Sequence, residues 1–317
     1  MTLKKVMEMA LRRAGLNEET SSFLDNARDY FNVGLRDLSE RRAWRWLFKS
    51  STFTTTSSTR NYSLASDVMR PLSFVNTTDN HTMDIVDASV VDRVDPDADE
   101  EGSPRVVYVA GINSSTGYWT VDLYPIPTHG STTFTAATSD VITSSGHSLE
   151  DNDIVKMTTT GTLPAGLSTG TDYYVISADT DAGTFSVSTS EGGSAVDISD
   201  TGSGTHSWNQ AILITYRYYT FIADKTSSND DTDLAATLPP WAQNAMIYFI
   251  SSQYKGELGD LDGEQTDYLL YERAIANNLK VDAEAESGNT PDRMARHGEI
   301  FVRQSFNFNV NEGSLST

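Results

Sequence analysis

The sequence predicts an α+β fold: a helical bundle formed by the N- and C-terminal helices, with a β-sheet region and an inserted small all-β domain. Apolar residues recur at helical spacing over residues 3–46 and again from about residue 240. Between these ends the apolar period changes to two, which is typical of strands. Residues 131–208 differ again, since they are rich in Thr, Ser, Gly and Asp and contain a single Lys or Arg, Lys156.

The composition is that of a folded chain rather than a disordered one. The 317 residues suffice for two domains, and 38% of them are hydrophobic and 21% charged. The absence of cysteine excludes disulfides, thiolate catalysis and cysteine-based metal sites. No stretch approaches the roughly 18 apolar residues of a membrane span, and Met1–Gly15 lacks an apolar core segment, so it predicts an amphipathic helix and not a signal peptide. We therefore expect a chain that is made in a cytosol and stays soluble.

The net charge of −21 is unevenly distributed along the chain. Residues 1–60 hold 11 basic and 7 acidic side chains, whereas residues 131–208 hold 1 and 10. Tight binding of nucleic acid requires many Lys and Arg side chains, so the composition disfavours it. An acidic surface repels DNA and would suit a conduit through which DNA slides. A solvated acidic surface that keeps the chain soluble explains the same carboxylates equally well.

Two helices are predicted in the first 46 residues. The apolar residues from Leu3 to Ala14 have helical spacing, and Gly15 ends the run. A polar cap at Thr20–Ser22 starts the second helix, which is expected to end near Arg42–Trp46.

An aromatic and basic cluster follows the second helix. Trp44 and Trp46 are expected to close the core beneath the helices, and an exposed partner contact is the alternative. The neighbouring Arg41, Arg42 and Arg45 suit an acidic surface on a partner.

The middle of the chain is predicted to form a sheet. Strands are expected around Phe53 and at residues 62–64, 90–94, 105–109 and 118–124. Asp67–Phe74 is expected to be a short helix or turn that closes on Pro71. The acidic segment Asp95–Glu101 is expected to be a loop between strands.

Residues 131–208 are predicted to be a small all-β module inserted into a hairpin. Its expected strands are Ile154–Met157, Tyr173–Ile176, Phe185–Val187 and Ala195–Ile198. The flanking segments 120–127 and 210–220 both have strand periodicity. A fold tolerates an insertion at such a loop because closure entropy grows slowly with loop length.

Two more helices are predicted towards the C-terminus. Leu238-Pro239-Pro240-Trp241 opens the first, with proline where a missing N–H costs little. The second runs from about Gly263 to Ala285, and its inward side chains are expected to be Tyr268, Leu269, Tyr271, Ile275 and Leu279. The predicted domains are 1–130 with 209–286 as a core, 131–208 as an insert and 287–317 as an extended tail.

The last segment alternates apolar residues with asparagine, at Phe306, Phe308 and Val310. An alternating strand of this kind is a candidate for addition to the sheet edge of another subunit. A strand that completes its own domain is equally compatible with the pattern.

Several short motifs follow one another along the core. They are Ala14-Gly15, Leu38-Ser39-Glu40, Trp44-x-Trp46-Leu47, Tyr62-Ser63-Leu64 with Asp67-Val68, Val121-Asp122-Leu123-Tyr124-Pro125-x-Pro127, Ile214-x-Tyr216-Arg217-Tyr218-Tyr219 and Leu238-Pro239. In this order of parts, over about three quarters of its length, the chain resembles the head-to-tail adaptor (connector) proteins of tailed bacteriophages, especially short-tailed ones. Where those proteins have a short hairpin loop, this chain has residues 131–208.

The insert carries a denser set of motifs of its own. They are His147-Ser148-Leu149, Asp153-x-Val155, Gly161-x-Leu163-Pro164-Ala165-Gly166-Leu167, Thr171-x-Tyr173-Tyr174-Val175-Ile176, Thr184-Phe185, Gly192-Gly193-x-Ala195 and Gly202-x-Gly204-Thr205. In these motifs it is similar to a small β module that recurs in phage virion proteins. That resemblance implies surface decoration, packing between subunits or carbohydrate contact.

The adaptor resemblance implies a structural virion protein and not an enzyme. It implies a homo-oligomeric ring of twelve copies at the neck of the virion, beneath the portal protein and against tail or nozzle proteins, assembled in the host cytoplasm. Genomic DNA would pass close by without specific contact, and no cofactor, metal or membrane is implied. The portal and partner contacts would be Phe301, Val302, Phe306, Phe308 and Val310, with Trp44 and Trp46 in second place.

Two other functions are weighed against the adaptor. Asp200-Thr201-Gly202-Ser203 is the local signature of an aspartic protease, which would make the chain a virion protease or cell-wall hydrolase. That mechanism needs two carboxylates that share one proton, so a single copy would require a dimer, and a Gly-rich turn is the preferred interpretation. The other function is a receptor- or glycan-binding tail protein with the insert as its active surface.

A cation site is the remaining chemical candidate. The run Asp95-x-Asp97-x-Asp99 resembles the start of a calcium loop, but Glu100 and Val106 stand where that loop needs glycine and glutamate. A solvated acidic loop is therefore the preferred interpretation. The histidines, at 81, 129, 147, 206 and 297, have no metal-ligand spacing.

Overall fold

The computed structural model describes residues 1–17, 20–97 and 99–286. Its helices are α1 (Leu3–Arg13), α2 (Ser21–Glu40), α3 (Ala88–Val94), α4 (Pro240–Glu257) and α5 (Leu261–Glu286). The chain divides into two compact units. Of the described residues, the helical unit comprises Met1–Trp46 and Ile222–Glu286, and the β unit comprises Leu47–Phe221. Within the described residues, none of the helices has the length and apolarity needed to cross a membrane.

The described strands all lie in the β unit. They are β1 (Phe48–Thr54), β2 (Asn61–Ser63), β3 (Val68–Asn76), β4 (His81–Ile85), β5 (Glu101–Gly102), β6 (Val106–Ile112), β7 (Trp119–Tyr124), β8 (Ile126–Pro127), β9 (Ser131–Ala136), β10 (Ile142–Thr143), β11 (Ile154–Thr159), β12 (Asp172–Asp179), β13 (Thr184–Ser188), β14 (His206–Gln210) and β15 (Leu213–Thr220). They form a seven-stranded sheet, a closed six-stranded barrel and a two-stranded sheet.

The predicted fold class is wrong. The described part of the chain is mostly β, and a large curled sheet takes the place of a helical-bundle core with a small β insert. The sheet and the barrel each bury an apolar core of their own, the first around Phe74 and Ile214 and the second around Phe185 and Trp208. The sequence pattern did not predict β3 and β4 as strands. β3 contains a proline, and β4 is short and half polar.

In the helical unit, α1, α2 and α5 all pack against α4. Ala245, Met246 and Ile250 of α4 are fully buried, in agreement with the apolar run that predicts a buried helix. At the crossing of α2 and α4, Gly34 lies directly against the ring of Phe249.

A buried carboxylate joins three helices of this unit. The fully buried Asp267 of α5 accepts a hydrogen bond from Arg13 of α1 (2.6 Å) and another from Ser251 of α4 (2.7 Å). Lys255 of α4 forms an ion pair with it at 2.9 Å. Burial raises the pKa of Asp267, but these partners outweigh burial and hold the pKa below its ordinary value.

The seven-stranded sheet has the order β1-β15-β3-β4-β6-β7-β2. Its two edge strands, β1 and β2, are consecutive in the chain and joined only by residues 55–60, so the sheet curls until its edges approach. The rings of Phe53 and Tyr62 stack across this gap, 5.0 Å apart. The Tyr62 hydroxyl donates to the carbonyl oxygen of Thr59 (2.7 Å), and burial raises the pKa of Tyr62 to about 12.

The helix or turn predicted at Asp67–Phe74 is wrong, because this segment lies in strand β3. Pro71 stands opposite Tyr218 of β15, where the register shifts after Arg217. A proline is tolerated at such an irregularity because its missing N–H removes no regular ladder bond.

The strand predicted at 90–94 is also wrong, because these residues belong to α3. Asp87 caps this helix by accepting a hydrogen bond from the Ser89 N–H (2.9 Å). The β-branched residues of this segment favour a strand, but the cap at Asp87 stabilises a helix.

The barrel runs from Ser131 to Gln210 in the strand order β10-β13-β12-β11-β14-β9. The strands predicted at 154–157, 173–176 and 185–187 are confirmed as parts of β11, β12 and β13. The strand predicted at Ala195–Ile198 is wrong, since this segment is irregular although Ile198 is buried. The barrel leaves the curled sheet after β8 and returns to it through β15.

Candidate functional site

The two tryptophans predicted as interface residues lie in different environments. Trp44 is fully buried, its Nε1 donates to the carbonyl oxygen of Leu38 (2.8 Å), and its ring lies 5.1 Å from that of Trp241. Trp46 is partly exposed, and its Nε1 is buried with no hydrogen-bond acceptor among the described residues. The partner contact of both residues stays a prediction.

The neighbouring arginines are largely engaged within the helical unit. Arg41 forms ion pairs with Asp37 and Glu272, each at 2.8 Å. Arg42 donates to a backbone carbonyl oxygen of α5 at 3.2 Å. Arg45 is exposed.

The remaining predicted contact residues lie outside the described residues. They are Phe301, Val302, Phe306, Phe308 and Val310, in the predicted tail 287–317. The last described helix, α5, ends at Glu286, where this tail begins. The predicted portal contact of the tail therefore stays a prediction.

A cleft of about 700 Å³ opens on the barrel between β9, β10 and the segment 201–206. Its lining carries no carboxylate, Lys or Arg, and seven of its residues bear hydroxyl groups. These are Thr133, Thr135, Thr143, Ser145, Thr201, Ser203 and Thr205. A hydroxyl-rich lining of this kind suits a neutral polar ligand or an extended segment of another chain.

Asp200 forms a turn at the rim of this cleft. Its Oδ1 accepts hydrogen bonds from the N–H groups of Ala165 (2.8 Å) and Gly202 (2.9 Å), and these bonds hold the pKa of Asp200 below its ordinary value. Gly202 has a φ of +63°, and a Cβ there would lie 2.4 Å from the carbonyl oxygen of Thr162. The protease-like string therefore serves a tight turn that only glycine fits.

His206 holds the same rim from inside the barrel. Its ring is nearly buried, with Nδ1 2.8 Å from Thr159 Oγ1 and Nε2 3.1 Å from the Thr201 carbonyl oxygen. Phe134 packs on the ring at 5.4 Å. Sequence reasoning gave His206 no role, because Thr159 lies 47 residues away and nothing local signals the contact.

Lys156, which stood out in the insert by composition, fastens the barrel to the curled sheet. Its Nζ donates to the Thr55 carbonyl oxygen (3.0 Å) and to Thr56 Oγ1 (3.1 Å). It also forms an ion pair with Asp172 at 3.3 Å, while the other oxygen of Asp172 accepts a hydrogen bond from Thr54 (2.7 Å). We call this group of contacts the lysine clamp.

His129 forms a second fastening where the chain enters and leaves the barrel. Its Nε2 lies 3.2 Å from a carboxylate oxygen of Asp79, in the turn between β3 and β4. Its Nδ1 lies 2.7 Å from Oε1 of Gln210, the last residue of β14. One imidazole therefore contacts the sheet and the exit strand of the barrel together.

The acidic loop after α3 offers no assembled cation site in the part of the chain that is described. Asp95 accepts a hydrogen bond from the Glu100 N–H (3.1 Å), which closes the loop on itself. Among the described residues, which omit Ala98, no three or more His, Asp or Glu side chains are grouped as metal ligands.

No protein-family model and no curated protein matches the chain. The candidate site is therefore defined by its geometry: a barrel that carries a hydroxyl-lined cleft and is fixed to the sheet at its base.

Proposed function

We propose that this chain is a structural protein of a bacteriophage virion, a head-to-tail adaptor. Its copies form a ring of twelve beneath the portal and join it to the tail or nozzle proteins while the genome passes through. The chain has no enzymatic role and uses no cofactor in this proposal.

The ordered motif series carries the proposal, and its members coincide with the ends and cores of elements. Ala14-Gly15 terminates α1, with Gly15 at a φ of +76°. Leu238-Pro239 opens α4. Ile214–Tyr219 lies in β15, the strand that pairs with both β1 and β3. The resemblance to the adaptor proteins rests on the order of these motifs along the chain, since each motif alone is short.

The charge distribution agrees with passage of DNA without binding. The net charge is −21, and phosphate binding needs a surplus of cations. The arginines beside α2 are held in ion pairs, as Arg28 is with Asp230 (2.8 Å) and Arg41 with Glu272, so fewer cations face a passing duplex.

The test is localisation in the particle. Polyclonal antibodies raised against the full chain are applied to intact virions and to virions whose tails have been removed, and both are imaged by electron microscopy. We expect label at the single portal vertex of the tailless heads. Label along tail fibres, or label over the whole capsid, would contradict the adaptor function.

The cleft on the barrel favours a second candidate, a tail protein that binds a glycan receptor. Its hydroxyl-rich lining, which has no carboxylate, Lys or Arg, suits a neutral polar ligand. Replacing residues 131–210 by a short Gly-Ser linker separates the two functions. In an adaptor the particles still assemble and adsorb to host cells, whereas a receptor-binding protein loses adsorption and keeps assembly.

A further inference from the structure

The start of α5 and the turn before it expose three leucines in the helical unit. Leu258, Leu261 and Leu269 are 58%, 69% and 59% exposed, and they are the only leucines in the described residues that are mostly exposed. Tyr268 beside them is 40% exposed. Residues 261, 265 and 269 are spaced four apart and lie on one face of the helix. We call Leu258, Leu261, Tyr268 and Leu269 the leucine stripe.

The sequence predicts Tyr268 and Leu269 to be inward, together with Tyr271, Ile275 and Leu279. Tyr271 and Ile275 are buried, but Tyr268 and Leu269 are not. The apolar pattern of α5 is therefore wider than the face that the helical unit covers. Several largely exposed apolar side chains along one helix and the turn before it mark a candidate contact site.

Carboxylates accompany the stripe along the chain. Glu257, Asp260 and Asp262 are exposed, and Glu264 is half-buried. Two copies that met through identical stripes would bring these carboxylates face to face, and like charges oppose such a contact. These carboxylates favour a basic surface as the one that covers the stripe.

The outer face of α1 offers a basic surface of the right kind. Lys4, Lys5 and Arg12 are exposed on one side of this helix, with Glu8 between them. Lys5 pairs with Glu8 only loosely, at 3.6 Å. Long basic side chains can cover leucines with their aliphatic stems while their charged ends reach carboxylates at the margin.

Lys4 and Lys5, unlike Arg12, lie at the opposite end of α1 from its contact with α5. Arg13, at the far end of α1, is the residue that reaches α5 through Asp267. Lys4 lies nine residues before it, or about 13 Å along the helix. One copy can therefore present its stripe to a neighbour and its basic face to another.

We propose that the leucine stripe binds the outer face of α1 on a second copy of this chain. Such a contact joins two different surfaces, so it is heterologous, and repeated contacts of this type close into a ring when the rotation permits. The proposal rests on the proposed function in that the partner is another adaptor copy, and it names the surfaces by which copies meet.

Cross-linking tests it directly, because the natural chain has no cysteine. A Leu261→Cys variant is mixed with a Lys5→Cys variant of the full chain and treated with a short bismaleimide. We expect cross-linked dimers several-fold more abundant than in a mixture of Leu261→Cys with Ile112→Cys. Ile112 is the matched control, since it is 59% exposed but lies in the β unit.

Equal yields with the Ile112→Cys control, or a predominance of Leu261→Cys homodimers, would overturn the proposal. Exchanging two charges tests the contact between the carboxylates beside the stripe and the basic face of α1. Asp262→Lys should weaken self-association in sedimentation velocity roughly fivefold, the upper end for one exposed ion pair, and adding Lys5→Glu should restore it. If Asp262→Lys has no effect, the basic face of α1 is not the partner.

Failure of this proposal is distinct from failure of the adaptor function. Antibody label at the portal vertex together with no preferred cross-link would overturn the stripe contact and leave the adaptor standing. A preferred cross-link with no label at the vertex would support the contact and overturn the adaptor.

Discussion

A single buried carboxylate, Asp267, connects three helices of the helical unit. Its oxygens are shared among Arg13, Lys255 and Ser251, so three helices depend on one charge. Removing one member of a buried ion pair is costly because the remaining charges lose their compensation.

We predict that Asp267→Asn lowers the free energy of unfolding by about 3 kcal/mol. The amide keeps the shape of the side chain but loses the charge that faces Arg13 and Lys255. Chemical denaturation monitored by circular dichroism measures the change, and Asp262→Asn, an exposed carboxylate on the same helix, is the control with little expected effect. A loss no larger than that of the control would contradict the assignment.

The same residue gives a pH dependence with a definite sign. The native pKa of Asp267 lies below the ordinary aspartate value of about 3.9. Its contribution is therefore complete above the unfolded-state pKa and is lost as the pH falls through the native pKa. The difference in unfolding free energy between the natural chain and Asp267→Asn should shrink on acidification below about pH 4, and a difference that grows would refute the linkage.

Gly34 is the residue at which packing overrides helix propensity. A Cβ at this position would lie 2.6 Å from Cδ1 of Phe249. Alanine favours a helix over glycine by roughly 1 kcal/mol, but overpacking costs about 1–3 kcal/mol. We predict that Gly34→Ala is destabilising by about 1 kcal/mol in thermal unfolding, and that the penalty disappears in a Phe249→Leu background. A stabilising Gly34→Ala would show that the helices can separate without cost.

At the residue scale, sequence reasoning succeeded where the signal is local. Gly15 at the end of α1 and Pro240 at the start of α4 follow from backbone preferences alone. It failed where the partner is distant: Leu269 has the periodicity of an inward residue, and only the position of the neighbouring helices leaves it exposed.

At the scale of elements, the lysine clamp joins β1 and its following turn to β11 and β12 of the barrel. Beside it, the Thr55 N–H donates to the Ile212 carbonyl oxygen and the Ile212 N–H donates to Thr55 Oγ1, each at 2.9 Å. The barrel is therefore attached by side chains as well as by its two covalent connections.

We predict that Lys156→Met loosens this attachment. The carbonyl oxygen of Thr55 loses its donor, which costs about 1–3 kcal/mol for a buried group left unpaired. Asp172 loses its ion-pair partner but keeps the hydrogen bond from Thr54. Hydrogen exchange should accelerate at the amides of Thr55 and Ile212, while Lys4→Met, on the exposed face of α1, leaves both unchanged. Unaltered exchange in Lys156→Met would mean that the covalent connections alone fix the barrel.

The same elements show how far the sequence predicts the barrel. Alternation located β11, β12 and β13, because each has one face in a closed apolar core. It did not reveal closure, since β10 is two residues long and pairs with both β9 and β13. No alternating pattern can be recognised in a strand of that length.

At the scale of the whole molecule, the proposed adaptor depends on residues beyond the last described helix. We predict that a chain shortened to residues 1–287 keeps the thermal unfolding midpoint of the full chain and no longer co-sediments with the portal protein encoded by the same phage. Binding to portal depends in this view on the tail with Phe301 and Phe306. If the shortened chain still attaches to portal, the tail is not the contact.

The largest error of the sequence prediction concerns how much of the chain forms sheet and how much forms helix. The helical ends have long, strongly periodic segments and are easy to recognise, whereas the curled sheet is assembled from short strands whose pairing is non-local. β1 pairs with β15 across more than 150 residues of chain, as Phe48 opposite Tyr219. A local pattern cannot report such a pairing, and for the same reason it could not place His129 between Asp79 and Gln210.

That pairing of β1 with β15 has a mechanical consequence. The β unit begins at Leu47 and ends at Phe221, next to two residues that face each other across an antiparallel ladder, roughly 5 Å apart. The two points at which the chain enters and leaves the β unit are therefore held together by the first rungs of that ladder. The barrel and its cleft form a side branch, far along the chain from both of these points.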